Sequence, residues 1–320
     1  MLKSKVFITT LLLVFSANLV LAVDLDEIVE LGHKFKLASS TTKDQAVSKA
    51  KAYAGNEAAL ASKSVLERYF PTVEVNLEFG DPDNTVGGLL LVAPLSNQDN
   101  VKNTVFTQLS TYHFDRRTTV NLGIGYRRLE LDNTLLWGVN AFYDHEFPYD
   151  HGRTSVGFEM RTSMAEFYAN RYWAQTGWRD GGNNQEERAL DGYDVEFGLP
   201  LPYMNWAKAY ARLFRWDSEI DHIDDTKGND FSLRADMPII PGLALEVGHR
   251  HYSSSESDEN FLKISYNIFA GAKNAAPTSL FTTTAYANSS MVDKRFDKVR
   301  RENIIYKQKK GSGSVIVRGI

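Results

Sequence analysis

The sequence predicts an all-β protein, a transmembrane antiparallel β-barrel of about 12 strands preceded by a helical segment. Three observations lead to this prediction. From residue 72 to residue 269, apolar and polar side chains alternate with a period of two, which is typical of strands with one apolar and one polar face. The N-terminus has the pattern of an export signal. Long polar connections alternate with short turns, which is the asymmetry of an outer-membrane barrel.

Residues 1–22 are predicted to be a signal peptide. Lys3 and Lys5 precede an apolar run over residues 6–15, and cleavage is expected after Ala22. After residue 23 no apolar run reaches the about 18 residues of a membrane-spanning helix. Residues 23–71 are rich in Ala, Lys and Ser, and the spacing within residues 44–69 predicts a helical, periplasmic segment that ends at Pro71.

The hairpin over residues 118–147 shows the alternation most clearly. A turn is expected at Asp132 and Asn133, between strands that are near the about 9–11 residues needed to cross a bilayer. Phe142 is an apolar exception on the polar face, which carries Asn140 and Asp144. The opposite face is predicted to contact lipid through Leu135, Trp137, Val139, Ala141 and Tyr143.

The remaining strands are predicted from the same period over residues 72–79, 86–95, 104–114, 153–162, 166–178, 192–199, 206–216, 230–237, 243–251 and 260–269. The long, Asp-rich connections are residues 144–152, 179–191, 217–229 and 253–259, whereas residues 130–133, 162–165 and 238–242 form short turns. A soluble β-sandwich would show the same alternation. The barrel is favoured by the strand length, the export signal and the aromatic residues near strand ends.

The composition argues against several other functions. The 320 residues carry a net charge of −4 and no Cys, so neither nucleic-acid binding nor a thiolate metal site is expected. His145 and His151 lie near carboxylates, but their spacing fixes no third metal ligand. His249 and His251 form no recognisable catalytic triad. We therefore predict no enzymatic activity, no cofactor and no metal site.

Several motifs, in one order along the chain, resemble a known family. They are AGNEAA at residues 54–59, VEVNLEFG at residues 73–80, VNLGIGYR at residues 120–127, NAFYDHEF at residues 140–147 and DGYDVEF at residues 191–197. From about residue 54 to residue 310, the chain resembles the inverse autotransporter barrels of intimin and invasin. This resemblance implies a twelve-stranded barrel in the outer membrane of a Gram-negative bacterium, working in type Ve secretion.

The resemblance also implies roles for the C-terminal part. Residues 270–310 would be a linker that enters the pore, partly as a helix, and emerges outside to carry an exported passenger. The residues that match the family's linker are Arg295, Asp297, Val299, Arg301, Glu302, Asn303 and Ile305. The end of the last strand would act as a signal for insertion through Tyr266, Ile268 and Phe269. Residues 311–320 would be a short tail with no recognisable passenger, and residues 23–71 leave no room for a lysin-motif-like module.

The expected function is that of a translocator-type barrel that threads its own C-terminal segment to the cell surface and plugs its pore. The implied partners are outer-membrane lipid, lipopolysaccharide, the barrel-assembly machinery and periplasmic chaperones, while no host receptor is specified. Three alternatives stay open. The chain could be a surface adhesin acting through its outer loops, a passive porin-like barrel, or a shortened remnant that exports nothing.

Overall fold

The computed structural model describes residues 69–80, 85–182, 185–253, 257–268, 280–310 and 315–316. The predicted signal peptide, nearly all of the predicted helical segment, Phe269 and most of residues 311–320 lie outside the described residues. Among the described residues, no helix combines the length and apolarity needed to cross a membrane.

The predicted barrel is confirmed: twelve antiparallel strands form one closed sheet. Each of these strands pairs with its neighbours in sequence, except that β7 pairs with β10, and β1 closes the ring on β14. β8, β9, β15 and β16 form a separate four-stranded sheet. In chain order the strands are β1 (Thr72–Gly80), β2 (Thr85–Pro94), β3 (Asn103–Phe114), β4 (Arg117–Glu130), β5 (Leu135–Phe147), β6 (His151–Arg161), β7 (Glu166–Ala174), β8 (Arg179–Asp180), β9 (Glu186–Ala189), β10 (Gly192–Leu201), β11 (Met204–Trp216), β12 (Thr226–Asp236), β13 (Leu243–Tyr252), β14 (Glu259–Asn267), β15 (Lys307–Lys309) and β16 (Val315–Ile316).

Each strand places one set of side chains inside the barrel and the other set outside, because successive residues point to opposite faces. In β4 the inner residues Asn121 and Arg127 are buried, while Leu122 and Ile124 are 50% and 53% exposed. The outer surfaces of the other strands also expose large apolar side chains, such as Val156, Phe158, Phe197, Leu199, Leu213, Phe231, Leu233 and Val247. An apolar outer wall of this extent is stable in contact with lipid.

The two ends of the barrel differ. We call one end the turn end, because it carries the short β4–β5, β6–β7, β10–β11 and β12–β13 connections. The predicted turn at Asp132 and Asn133 lies here, within residues 131–134, and Leu131, Asp132 and Asn133 all have positive φ. We call the other end the loop end, because it carries the long β7–β10 and β11–β12 connections.

One predicted loop is mostly strand. Residues 144–152 were expected to form a long connection, but β5 continues to Phe147 and β6 starts at His151, so the connection is residues 148–150. The inner face of this region is buried, including Asp144, Glu146 and His151. These polar residues are therefore part of the barrel wall and not of a solvated loop. Similarly, β7 ends at Ala174, before the predicted residue 178.

Candidate functional site: the C-terminal segment inside the barrel

Pairs of charged side chains line the inside of the barrel and bridge its strands. Arg127 of β4 reaches across β5 to Glu159 of β6, with Nε 2.6 Å from Oε1. Arg153 donates from Nε to Oδ2 of Asp144 at 2.8 Å, and Arg250 pairs with Asp230 in the same way at 2.8 Å. Buried charges are stable only when they are paired and hydrogen-bonded, so the wall carries its own counter-charges.

Residues 291–309, which we call the luminal segment, run through this charged interior from the turn end to the loop end. The segment begins at Met291, whose backbone N–H donates to the carbonyl oxygen of Asn133 at 2.7 Å. A short 3₁₀ helix follows over Val292–Phe296. At the far end, β15 joins the sheet at the loop end by pairing with β9. The chain therefore contacts both mouths of the barrel.

Arg301 contacts both a carboxylate and an aromatic ring of the wall. Its two terminal nitrogens donate to Oδ1 and Oδ2 of Asp144 at 2.9 and 2.7 Å, and Nη2 also donates to Oγ of Ser155 at 3.0 Å. The guanidinium lies 4.3 Å from the centre of the Phe142 ring. This stacking explains why an apolar residue interrupts the polar face of β5: Phe142 supports the arginine of the segment inside the barrel.

Phe142 also explains a glycine in the VNLGIGYR motif. A Cβ atom on Gly123 would lie 2.3 Å from Cε1 of Phe142, and one on Gly125 would lie 2.3 Å from Cζ of Phe106. Both glycines point into the lumen, so each leaves space for an aromatic ring from the neighbouring strand. The glycines and the rings together form the floor on which the luminal segment lies.

Neighbours of Arg301 contact the opposite side of the lumen, as expected for an extended chain. Arg300 pairs with Glu196 at 2.5 Å and with Glu246 at 3.3 Å, and its guanidinium lies 3.9 Å from the Tyr210 ring centre. Glu302 pairs with Arg212 at 3.3 Å. Arg300 was not among the predicted linker residues, although it occupies the variable position between Val299 and Arg301.

The structure brings the other predicted linker residues into the same lumen. Arg295 donates from Nη1 to the carbonyl oxygen of Gln98 at 3.2 Å, near the turn end. Asp297 accepts from Nη2 of Arg161 at 2.8 Å. Val299 and Ile305 are buried, and Asn303 donates from Nδ2 to the Tyr112 hydroxyl at 3.3 Å.

An aromatic cluster surrounds the segment near the loop end. Tyr306 is fully buried and stacks on Trp216, with ring centroids 4.2 Å apart and planes inclined by 13°. The backbone N–H of Leu190 donates to the carbonyl oxygen of Tyr306 at 3.0 Å. Tyr172, Phe214 and Tyr252 complete the cluster. The sequence analysis missed Tyr306, although it directly follows Ile305 in the linker motif.

Beyond this cluster, the segment joins the separate four-stranded sheet at the loop end, where β15 pairs with β9. Lys307 pairs with Glu146 at 2.5 Å, and Arg117 donates from Nη1 to Glu187 of β9 at 2.8 Å. Burial alone would raise the pKa of the Glu187 carboxyl, but the hydrogen bonds and charges of His151, Arg117 and Lys307 outweigh it and lower that pKa to about 2. Glu187 is therefore ionised at neutral pH, and it pairs with Arg117 of the wall and Lys309 of the segment at the loop end.

The remaining predicted residues lie on the outside or at the end of the barrel. Val139, Ala141 and Tyr143 are exposed on the outer wall, with Leu135 and Trp137 half-buried beside them. Trp137 packs edge-on against Tyr126, with 5.8 Å between ring centroids. Tyr266 ends the β13–β14 pairing opposite Leu243, and Ile268 donates from its backbone N–H to the carbonyl oxygen of Val73 at 2.8 Å.

Comparison with known proteins gives one family match. A family model described as "Inverse autotransporter, beta-domain" matches residues 29–303. Among curated relatives, the inverse autotransporter adhesin YeeJ of Escherichia coli K12 is 26% identical over 277 residues, 84% of this chain and 12% of that protein. Invasin of Yersinia enterocolitica is 24% identical over 251 residues, 75% of this chain and 29% of that protein.

A shorter match has higher identity: a putative attaching and effacing protein homolog of E. coli K12 is 33% identical over 106 residues, 32% of this chain and 36% of that protein. The chain thus aligns with only a minor part of each of these three relatives. A solved structure, "Unveiling the Mechanism Behind the in-meso Crystallization of Membrane Proteins", aligns with a TM-score of 0.62 and 19% identity, covering 75% of this chain and all of that one. At this identity the alignment shows a shared fold.

Proposed function

The chain belongs to the inverse autotransporter β-domain family and lies in the outer membrane of a Gram-negative bacterium, and on that premise we propose that it is a translocator barrel for its own C-terminal segment. In this proposal the barrel inserts in the outer membrane, the luminal segment passes from the turn end to the loop end, and the segment then stays in the pore and closes it. The turn end faces the periplasm and the loop end faces outside. The process needs no catalytic residue.

One observation carries the proposal: the luminal segment is attached to the barrel at both mouths and along the wall between them. Met291 binds Asn133 at the turn end, Arg301 binds Asp144 inside, and Lys307 pairs in register with Ala189 at the loop end. The stretch from Asp297 to Tyr306 is irregular and bends at Asp297, Arg301 and Ile304, so side chains of the wall, and not a sheet, hold it in the lumen.

Two spaces lie beside the segment. One of about 120 Å³ is lined by Asp230, Ser232 and Lys263, and one of about 580 Å³ toward the turn end is lined by Arg161, Lys208 and Lys294. A water molecule needs roughly 10–15 Å³ of such volume, so both spaces can hold water. The aromatic cluster around Tyr306 lies between these spaces and the loop end, which supports a plugging role. We therefore expect the intact protein to conduct ions poorly.

Insertion in the membrane requires partners outside this chain. We propose that the barrel-assembly machinery recognises the end of the last strand through Tyr266, Ile268 and Phe269, after periplasmic chaperones have delivered the unfolded chain. The outer wall around Val139 and Tyr143 would then contact lipid, and the loop end would contact lipopolysaccharide. The exposed apolar side chains on the outer wall support the lipid contact.

The direct test is the location of the C-terminus. An epitope added after Ile320 should be detected by antibody on intact cells and removed by external protease, while an epitope placed in the residues 162–165 turn should be detected only after the outer membrane is opened. If the C-terminal epitope also requires opened cells, the proposed threading is wrong.

Adhesion is a second candidate function, because two of the relatives are named an adhesin and an invasin. Those proteins are much longer than the part that this chain matches, so their adhesion does not transfer with the barrel. A binding role for this chain would involve the outer connections, residues 175–191 and 217–225. Shortening either connection should then reduce attachment of expressing cells to host cells, whereas an unchanged attachment would remove this candidate.

A further inference from the structure

We propose that the inner wall of β3–β7 is a binding track for polypeptide main chain, and that its ligand is any extended chain, held through its peptide groups whatever its side chains. This inference rests on the proposed translocation function and specifies what the pore recognises during that function. The luminal segment is the occupant of the track in this structure. The wall contacts main-chain atoms of the segment as well as its side chains.

Two wall arginines bind carbonyl groups of the segment in pairs. Nη1 of Arg127 donates to the carbonyl oxygens of Arg295 and Asp297 at 2.9 and 2.6 Å. Arg153 donates from Nη2 to the carbonyl oxygen of Glu302 at 2.8 Å and from Nη1 to that of Ile304 at 3.1 Å. In both cases the two carbonyls are two residues apart. Each arginine therefore joins two peptide groups that face the same side of the chain, one pair at the end of the 3₁₀ helix and one in the irregular stretch that follows.

Amide and hydroxyl groups continue the track between the two arginines. Nδ2 of Asn170 donates to the carbonyl oxygen of Arg300 at 3.1 Å, and Nδ2 of Asn121 donates to that of Asn303 at 2.9 Å. Two wall groups accept from the segment instead. The backbone N–H of Val299 donates to Oε1 of Gln108 at 2.8 Å, and that of Glu302 donates to the Tyr172 hydroxyl at 2.7 Å.

These wall groups are held in place by carboxylates of the wall itself. Glu159 holds Arg127, and Asp144 holds both Arg153 and Asn121, the latter at 2.8 Å. Asp194 holds Asn170 and the Tyr172 hydroxyl, each at 2.8 Å. All three carboxylates are buried. Arg127, Asn170 and Tyr172 therefore keep their direction independently of the side chains of the segment, which is the preorganisation that binding sites need. Asp144, which holds Arg153 and Asn121, also binds Arg301 of the segment.

Main-chain recognition follows from the chemistry of these contacts. A buried peptide group needs a hydrogen-bond partner, and a single strand inside a pore has no sheet to supply one. Every residue presents the same carbonyl group, so a different sequence at the same place meets the same donors. The ion pairs of Arg300 and Arg301, by contrast, depend on sequence. We infer that the wall supports passage of successive segments, and that the ion pairs determine which segment stays.

The test compares the two kinds of contact in the full-length protein, folded in detergent. The wall variant is Arg127→Leu with Glu159→Leu, which removes a double carbonyl donor without leaving an unpaired charge. Its matched control is Lys263→Leu with Glu78→Leu. This pair also bridges two strands, and Lys263 lies over the Phe261 ring as Arg127 lies over the Phe106 ring. Neither control residue is among the donors to peptide groups of the luminal segment described above. The segment variant is Asn303→Ser, which shortens a side chain of the segment but keeps its carbonyl group and the ion pairs of Arg300 and Arg301.

The measurement is the rate at which trypsin cuts after Lys307, which is buried while the segment is docked. We expect cutting at least about tenfold faster in the wall variant than in its control, because two charge-assisted hydrogen bonds are lost. The segment variant should stay within about threefold of the wild type, because it keeps the main-chain contacts and the ion pairs and loses a 3.3 Å hydrogen bond from Asn303 to the Tyr112 hydroxyl. Faster cutting in the segment variant than in the wall variant, or equal rates in the wall variant and its control, would overturn the inference.

Folding and function are checked separately. Each variant must keep the heat-dependent gel mobility of a folded barrel. If the wall variant fails this check, it is replaced by Arg153→Lys, which keeps the charge but removes the paired donor geometry of the guanidinium. This replacement must also cut faster than the Lys263 and Glu78 control, or the inference fails. Because cleavage is measured on refolded protein, it reports on the track even if the epitope test rejects export.

Discussion

Asp144 and Arg301 form an ion pair in the middle of the barrel, and neither side chain is exposed. Asp144 also holds Arg153 and Asn121, so a single carboxylate joins the wall to the luminal segment. The carboxylate compensates two buried guanidinium groups at once. This fully buried ion pair therefore attaches the segment to the wall.

Replacing Asp144 should destabilise the protein more than replacing its partner. Asp144→Ala leaves two buried arginines without their counter-charge, and we expect the free energy of unfolding in urea to fall by about 3–5 kcal/mol. Arg301→Met keeps Asp144 paired with Arg153 and should cost about 1–2 kcal/mol. Equal losses in the two variants would show that Asp144 does not link wall and segment in this way.

A charge on the outer wall should impair insertion. Val139 is 45% exposed in the middle of β5, and we expect Val139→Arg to reduce the stability of the inserted barrel by about 2–4 kcal/mol. Val139→Leu is the apolar control. Folding into lipid vesicles, followed by gel mobility with and without heating, measures the effect. Normal insertion and heat resistance of the arginine variant would contradict the assignment of this face to lipid.

Removing the luminal segment should open the pore. Deletion of residues 270–320 should raise the single-channel conductance in planar bilayers well above that of the full-length protein, because the charged lumen would fill with water. Deletion of residues 311–320 alone keeps the luminal segment and serves as the control. If both deletions leave the conductance unchanged, the segment does not close the pore.

The loop end should loosen in acid. The pKa of Glu187 is lowered to about 2, so Glu187 stabilises the folded state fully above the pKa of about 4.5 that it has when unfolded. This stabilisation decreases as the pH falls from about 4.5 and is lost below about 2. The hydrogen-exchange protection factors of residues 307–309, which are corrected for the intrinsic pH dependence of exchange, should therefore fall across this range. Glu187→Gln should abolish this fall, and a variant that keeps it would assign the effect to another group.

The sequence was sufficient to predict the barrel, because the alternation of apolar and polar side chains follows directly from the two faces of a strand. Each predicted strand corresponds to one strand of the closed sheet, and the boundaries differ by a few residues at most places. The hairpin of β4 and β5 was predicted with its turn and with its two faces. Strand ends were harder to predict, because Asp144 and Glu146 are polar and buried, and a polar residue near a turn resembles a loop.

Contacts between distant parts of the chain could not be predicted in the same way. β15 pairs Lys307 with Ala189, and β8 and β9 are short strands inside a connection, so no local pattern marks them. The exception at Phe142 is explained only by the ring contact with Arg301. The residues of the linker motif lie in the lumen, but the motif did not include Arg300, Tyr306 or Lys307, whose partners lie on strands remote in sequence.

The pairing of β15 with β9 has a mechanical consequence. A load applied to the chain beyond residue 310 pulls the segment along the axis of the pore, and its first point of attachment is this pairing, from Lys309 opposite Glu187 to Lys307 opposite Ala189. Behind it, the ring of Tyr306 must leave Trp216, and the guanidinium of Arg301 must leave Asp144, before the segment can slide. Tension on this end of the chain would therefore be transferred to the barrel wall in three successive steps.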